Sequence, residues 1–114
     1  MASRKVLCVE DHAGCLRILA ELLNAAGYEV VAAATGQQAL DLLRQQSIDG
    51  VLLEYNLSDT CGAAVRTEMK RVRPEIPILL FSGVGQQTPI LIRFFDAYLR
   101  DSRLENDAPD ALAG

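Results

Sequence analysis

Four residues of this chain place oxygen atoms where chemistry could gather: Glu10, Asp11, Glu54 and Ser82. Each follows a short apolar run. Glu10 and Asp11 follow KVLCV (Lys5–Val9), Glu54 follows IDGVLL (Ile48–Leu53) and Ser82 follows ILLF (Ile78–Phe81). If the runs are strands of one sheet, these residues stand at the carboxyl ends, where open α/β sheets bind their ligands. Carboxylates crowded on one rim repel one another and raise each other's pKa unless a cation sits among them. A hard divalent ion suits such a cluster, and Mg²⁺ usually takes one or two carboxylates plus waters. A single acid there would be a solvated strand end. Three of them predict an acidic pocket of Glu10, Asp11 and Glu54, able to serve as metal ligands.

The elements that would position these residues are legible in the hydropathy pattern. Uninterrupted apolar runs such as Lys5–Val9 suit strands buried on both faces of a parallel sheet. Leu16, Leu19, Ala20, Leu22 and Leu23 recur at helical spacing over residues 12–26, and Gly27 closes that helix. Strand two is expected over Tyr28–Ala33. Thr35 caps a helix running to about Gln46. Strand three covers Ile48–Leu53, and the loop YNLSDTCG leads into a helix ending near Val72. Pro74 and Pro77 bracket a turn before strand four, Ile78–Phe81. Strand alternating with helix on short connections predicts a doubly wound α/β fold with right-handed crossovers. Two readings fit the end of this region. Ile90, Leu91, Phe94, Phe95, Tyr98 and Leu99 suit one amphipathic helix. Alternatively a short helix ends near Phe95 and Asp96–Leu99 is an edge strand. Residues 103–114 form a tail or the start of a last helix, so the domain is expected over residues 1–102.

The bulk properties exclude several function classes. A chain of 114 residues fits a single domain. A net charge of −4 disfavours a nucleic-acid-binding surface. No apolar run approaches the ~18 residues of a membrane span, and Glu10 arrives too early for a signal peptide. The expected location is therefore the cytoplasm. Cys8, Cys15 and Cys61 are odd in number and lack metal-ligand spacing, which predicts reduced thiols. Cys8 reads as core. His12 is the one histidine and sits at the start of the first helix, so Cys–His catalysis is not supported and no enzyme is expected.

Taken together and in order, VLCVED, VLLEYNLSDTCG, ILLFSG and DAYLRD resemble the receiver domain of two-component response regulators, over about residues 4–102. The resemblance implies a flavodoxin-like, five-stranded parallel sheet in 2-1-3-4-5 order. It also implies Mg²⁺-dependent phosphoryl transfer from a histidine kinase to an aspartate. Glu54 occupies that phosphoacceptor position. Ser82 matches the switch hydroxyl and Tyr98 the switch aromatic. Asp101 falls at the position of the family lysine, and Ser58 at that of the loop proline. The stretch from Ser82 to Asp101 is shorter than the family's, implying an abbreviated C-terminal part.

These departures have physical consequences. Glutamate carries its carboxylate about 1.5 Å further out, and a misplacement of about 1 Å can cost on the order of 10²-fold in rate. A phosphoryl group brings about two negative charges, which an aspartate at position 101 would repel where lysine attracts. The expectation is a degenerate receiver acting through protein contacts, with Mg²⁺ binding weakened. A histidine kinase, a downstream signalling protein or a second copy would be its partner. Two alternatives remain: an active receiver phosphorylated at Glu54 or nearby at Asp59, and an unrelated flavodoxin-like cofactor binder or enzyme. Against the latter, the loop after strand one is EDHAG, which would repel phosphate, and Gly83-Val84-Gly85 lacks the third glycine of a dinucleotide fingerprint.

Overall fold

The computed structural model describes residues 3–101. Four strands and four helices alternate: β1 (Lys5–Val9), α1 (Ala13–Ala25), β2 (Glu29–Ala33), α2 (Gly36–Gln45), β3 (Gly50–Glu54), α3 (Gly62–Val72), β4 (Ile78–Phe81) and α4 (Thr88–Arg100). All strand pairs are parallel, and the sheet order is β2-β1-β3-β4. The first four places of the expected order therefore hold. A fifth strand does not occur among the described residues, and Asp96–Leu99 is helical. The reason lies in the spacing of the large apolar residues. Leu91, Phe95 and Tyr98 fall at i, i+4 and i+7, and they bury one face of a 13-residue helix. The helix is of ordinary length, and no strand follows it among the described residues. Residue 102 and the expected tail, 103–114, lie outside the described residues.

Because side chains alternate along a strand, the sheet sorts its core into two layers. Val6, Cys8, Leu52, Leu79 and Phe81 face α1 and α4, where they meet Leu19, Leu23, Leu91, Phe95 and Tyr98. Leu7, Val9, Val51, Leu53 and Ile78 face α2 and α3, where they meet Ala39, Leu43, Val65 and Met69. Each face thus carries two helices. No described helix is long and apolar enough to cross a membrane.

Local signals set the boundaries. Gly27 adopts φ 98° between α1 and β2, a left-handed conformation that costs glycine little. Thr35 accepts from the Gln38 N–H at 3.1 Å and caps α2. Strand three begins two residues later than expected, at Gly50, although Ile48 is still core. Leu99 packs where a Gly50 side chain would otherwise stand. Away from the strand carboxyl ends, Arg73 donates to the carbonyls of Leu43, Gln46 and Ile48, tying the end of α2 to the end of α3.

Gly62 opens α3 against the end of β3. A Cβ there would collide with the Glu54 carbonyl and lie 2.9 Å from Tyr55 Cα. Alanine improves helix propensity by up to about 1 kcal/mol, but backbone atoms cannot rotate away, and overpacking of this kind costs about 1–3 kcal/mol. Gly62→Ala is therefore expected to lower stability by about 1 kcal/mol net in urea denaturation, with the m-value unchanged.

Candidate functional site

The β1–β3 ladder pairs Val9 with Leu53. The next residues, Glu10 and Glu54, consequently leave the sheet beside each other, and both are buried, at 4% and 6% exposure. Their carboxylates are provided for differently. Glu54 Oε2 accepts from the Tyr55 N–H at 2.9 Å, and Glu54 Oε1 accepts from the Gly83 N–H at 3.1 Å. Glu10 Oε1 accepts from the His12 N–H at 3.2 Å. Glu10 Oε2 is buried with no hydrogen-bond partner among the described residues. Asp11 is exposed at the lip.

Burial is the main force on both glutamates and pushes each carboxyl above its ordinary pKa. At Glu54, the N–H groups of Gly83 and Tyr55 oppose the rise and the charge of Asp11 adds to it. At Glu10, the His12 N–H opposes it, and Glu54 and Asp11 add to it. Among the described residues no lysine or arginine weighs on either glutamate. The charge of Asp11 therefore weighs on both glutamates, and that of Glu54 on Glu10.

The described residues contain no group of three His, Cys, Asp or Glu side chains placed to hold an ion. Both oxygens of Glu54 are committed to backbone N–H groups. The orphaned Oε2 of Glu10 is a donor atom suited to a cation. Glu10, Asp11 and Glu54 do not fit as a joint Mg²⁺ ligand set.

The loop between β4 and α4 closes the other side of the site. Gly83 has φ 79°, which turns its N–H toward Glu54. Asn56 Nδ2 donates to Ser82 Oγ at 3.5 Å. Thr88 is buried and accepts from the Gly85 N–H at 2.8 Å. Residues 82–88 and Leu91 line a cavity of about 420 Å³. Sequence reasoning named Ser82 but missed Gly83 and Asn56 as members of the site. The glycine directly after ILLFS was the available signal.

Other candidates fall where local chemistry puts them. Asp59 accepts from the Gly36 N–H at 3.0 Å and the Gln37 N–H at 3.3 Å, which holds its carboxyl below the usual range. It caps α2 rather than offering a free nucleophile. His12 caps α1, with Nδ1 accepting from the Cys15 N–H at 3.3 Å. Cys61 is the N-cap residue of α3. Cys8 is core, its thiol pushed up to about 12 by burial and by Glu10.

Tyr98 and Asp101 lie at the end of α4. Leu99 abuts Gly50, the first residue of β3, and its carbonyl accepts from Arg4 Nη1 at 2.7 Å, just before β1. The end of α4 therefore lies at the rim where strands begin, one strand length from Glu54. Tyr98 is 3% exposed in the layer between α1 and α4, not poised beside Ser82. Asp101 is the C-cap of α4.

Comparison with known proteins agrees with this architecture. The family model for the response regulator receiver domain matches residues 6–102. Sporulation initiation phosphotransferase F of Bacillus subtilis is 31% identical over 86 residues, covering 75% of this chain and 69% of that protein. The transcriptional regulatory protein ZraR of Escherichia coli is 36% identical over 78 residues, covering 68% of this chain. The match spans only 18% of the length of that regulator. A response regulator receiver protein from Sinorhizobium medicae superposes with a TM-score of 0.76 at 22% identity, over 86% of this chain and 95% of that one, a likeness of fold. With its parallel sheet, its acidic rim and the family match over nearly its whole length, the chain belongs to the response regulator receiver domain family of two-component signalling.

Proposed function

We propose that this receiver domain is a protein-interaction module of two-component signalling in which Glu54 is a standing carboxylate and no phosphoryl group is accepted. The observation that carries the reading is the pair of bonds that Glu54 receives from Tyr55 and Gly83. An acceptor must present a free oxygen in line with the transferred group, with nearby positive charge to neutralise the transition state. Glu54 instead spends its oxygens on backbone N–H groups, inside a cluster of acids. Its longer side chain reaches the β4–α4 loop and fastens it. The loop is thus held by a fixed charge where a phosphorylated receiver would hold it conditionally. Its partner is a histidine kinase or a downstream signalling protein that binds this one state.

One observation favours the alternative of Mg²⁺-dependent phosphorylation: the partnerless Oε2 of Glu10, an acceptor suited to a cation. Treatment with a small phosphodonor and Mg²⁺, followed by intact-mass measurement, separates the two. No adduct is expected on the wild-type protein. A stoichiometric adduct that disappears in Glu54→Ala would overturn the proposal. Asp101→Lys is expected to change nothing in this assay, since that residue lies at the far rim.

The loop fastening has its own signature. In Glu54→Ala the Gly83 amide loses its acceptor, and its hydrogen exchange is expected to accelerate roughly tenfold relative to core amides.

The raised carboxyl pKa values fix a pH dependence. Folded Glu10 and Glu54 bind protons more readily than their unfolded counterparts. Their effect on stability is therefore most favourable at low pH and is lost as pH rises from about 4.5 through the folded values. Glu10→Gln removes one charge and points an amide N–H₂ at neighbouring acids. At pH 7 it is expected to raise stability by about 1 kcal/mol, the low end of the cost of an unsatisfied buried acceptor. In thermal melts the gain is expected to vanish near pH 4; a gain that persists there would contradict the assigned cause.

A further inference from the structure

The rim where strands begin carries a second cluster of charged side chains, one strand length from the acidic site. Ser3, Arg4, Tyr28, Asp96 and Arg100, with the turn between α1 and β2, line a cavity of about 330 Å³. Arg4 directly precedes β1, Tyr28 directly precedes β2, and Asp96 and Arg100 stand one turn apart on α4. Tyr28 is buried, its ring edge-on to Phe95 with centroids 6.2 Å apart. Its hydroxyl donates to Asp96 Oδ1. Arg100 Nε donates to Asp96 Oδ2 at 3.1 Å, so both oxygens of that carboxylate are engaged. Arg4 Nη1 donates to the Leu99 carbonyl at 2.7 Å.

Burial and the bond to Asp96 push the Tyr28 hydroxyl up to about 12, against the charges of Arg100 and Arg4. Both guanidinium groups are therefore felt at the same hydroxyl. Of the charged groups that line the cavity, two are guanidiniums and one is a carboxylate, which leaves positive charge in excess. Both arginines are exposed and within reach of a solute. Each is anchored through one nitrogen, which leaves most of its N–H donors for another acceptor. Anchoring also lowers the ordering cost that a free surface arginine pays on binding.

We propose that this cavity binds a small phosphate monoester, whose phosphoryl oxygens bridge Arg4 and Arg100. One guanidinium fork satisfies the two oxygens of a carboxylate. A phosphoryl group brings three acceptor oxygens and about two negative charges, enough to engage two forks. The volume stands at the low end of the ~300–1,000 Å³ range of ligand pockets, with room for a small organic group beside the phosphoryl. The site is independent of whether Glu54 accepts phosphoryl, because the two lie at opposite rims.

The test is an NMR titration of the full chain with inorganic phosphate and with phenyl phosphate, without Mg²⁺ and at constant ionic strength. Saturable shifts are expected in the amides of Gly27 and Tyr28 and in the Nε signals of Arg4 and Arg100. The expected Kd is on the order of 1 mM, the range of a few charge-assisted hydrogen bonds. Acetate is expected to bind roughly tenfold more weakly. Arg4→Gln and Arg100→Gln should each raise Kd roughly tenfold, and Arg100→Lys, which keeps the charge without the fork, should raise it less. Arg44→Gln removes the same charge from α2, over the other face of the sheet, and is expected to leave Kd unchanged. Three results would each overturn the proposal. These are shifts that stay linear into the tens of millimolar, shifts centred on Glu54 and Gly83, and a weakening by Arg44→Gln equal to that by Arg4→Gln. The wild-type titration alone can sink the idea, so the test holds even if a variant fails to fold.

Discussion

The register between β1 and β3 is the constraint from which the site follows. Val9 lies opposite Leu53, so two glutamates emerge side by side from a sheet buried on both faces. Neither can retreat into water without pulling its strand out of the ladder. The protein answers one of the two charges with two backbone N–H groups and leaves an oxygen of the other unanswered. That asymmetry separates a carboxylate with a structural task from one that merely endures burial.

Much of the fold was legible because its signals are local. KVLCV and ILLF are too short and too apolar to be surface helices, and both became strands with the expected bounds. Gly27 and Thr35 act as stop and start signals through backbone conformation and a side-chain oxygen. The region after β4 was not decidable in this way. DAYLRD looks like a strand when read alone; Leu91, Phe95 and Tyr98 make a helical stripe only when read over three turns and given α1 to pack against. Long-range packing decided between two locally acceptable states.

The candidate site was half legible for the same reason. The carboxylates at 10, 11 and 54 were found from their places at strand ends. The engagement of Glu54 could not be read from the sequence, since it depends on where Gly83 and Tyr55 present their N–H groups. Asp101 was read at the end of a strand, whereas in this structure it is the C-cap of α4. Moving it to the helix end removes one argument against phosphorylation while leaving the other, the engagement of Glu54, intact.

Asp59 sits in the loop after β3, yet it is bound to the first two amides of α2. Gly36, at the same junction, has no room for a side chain against Thr60 and Val65. The beginning of one helix is therefore specified by a loop more than twenty residues downstream. In evolutionary terms the two segments share a boundary condition. An insertion or deletion in either one must be matched in the other, and the lineage is free to vary them only as a pair.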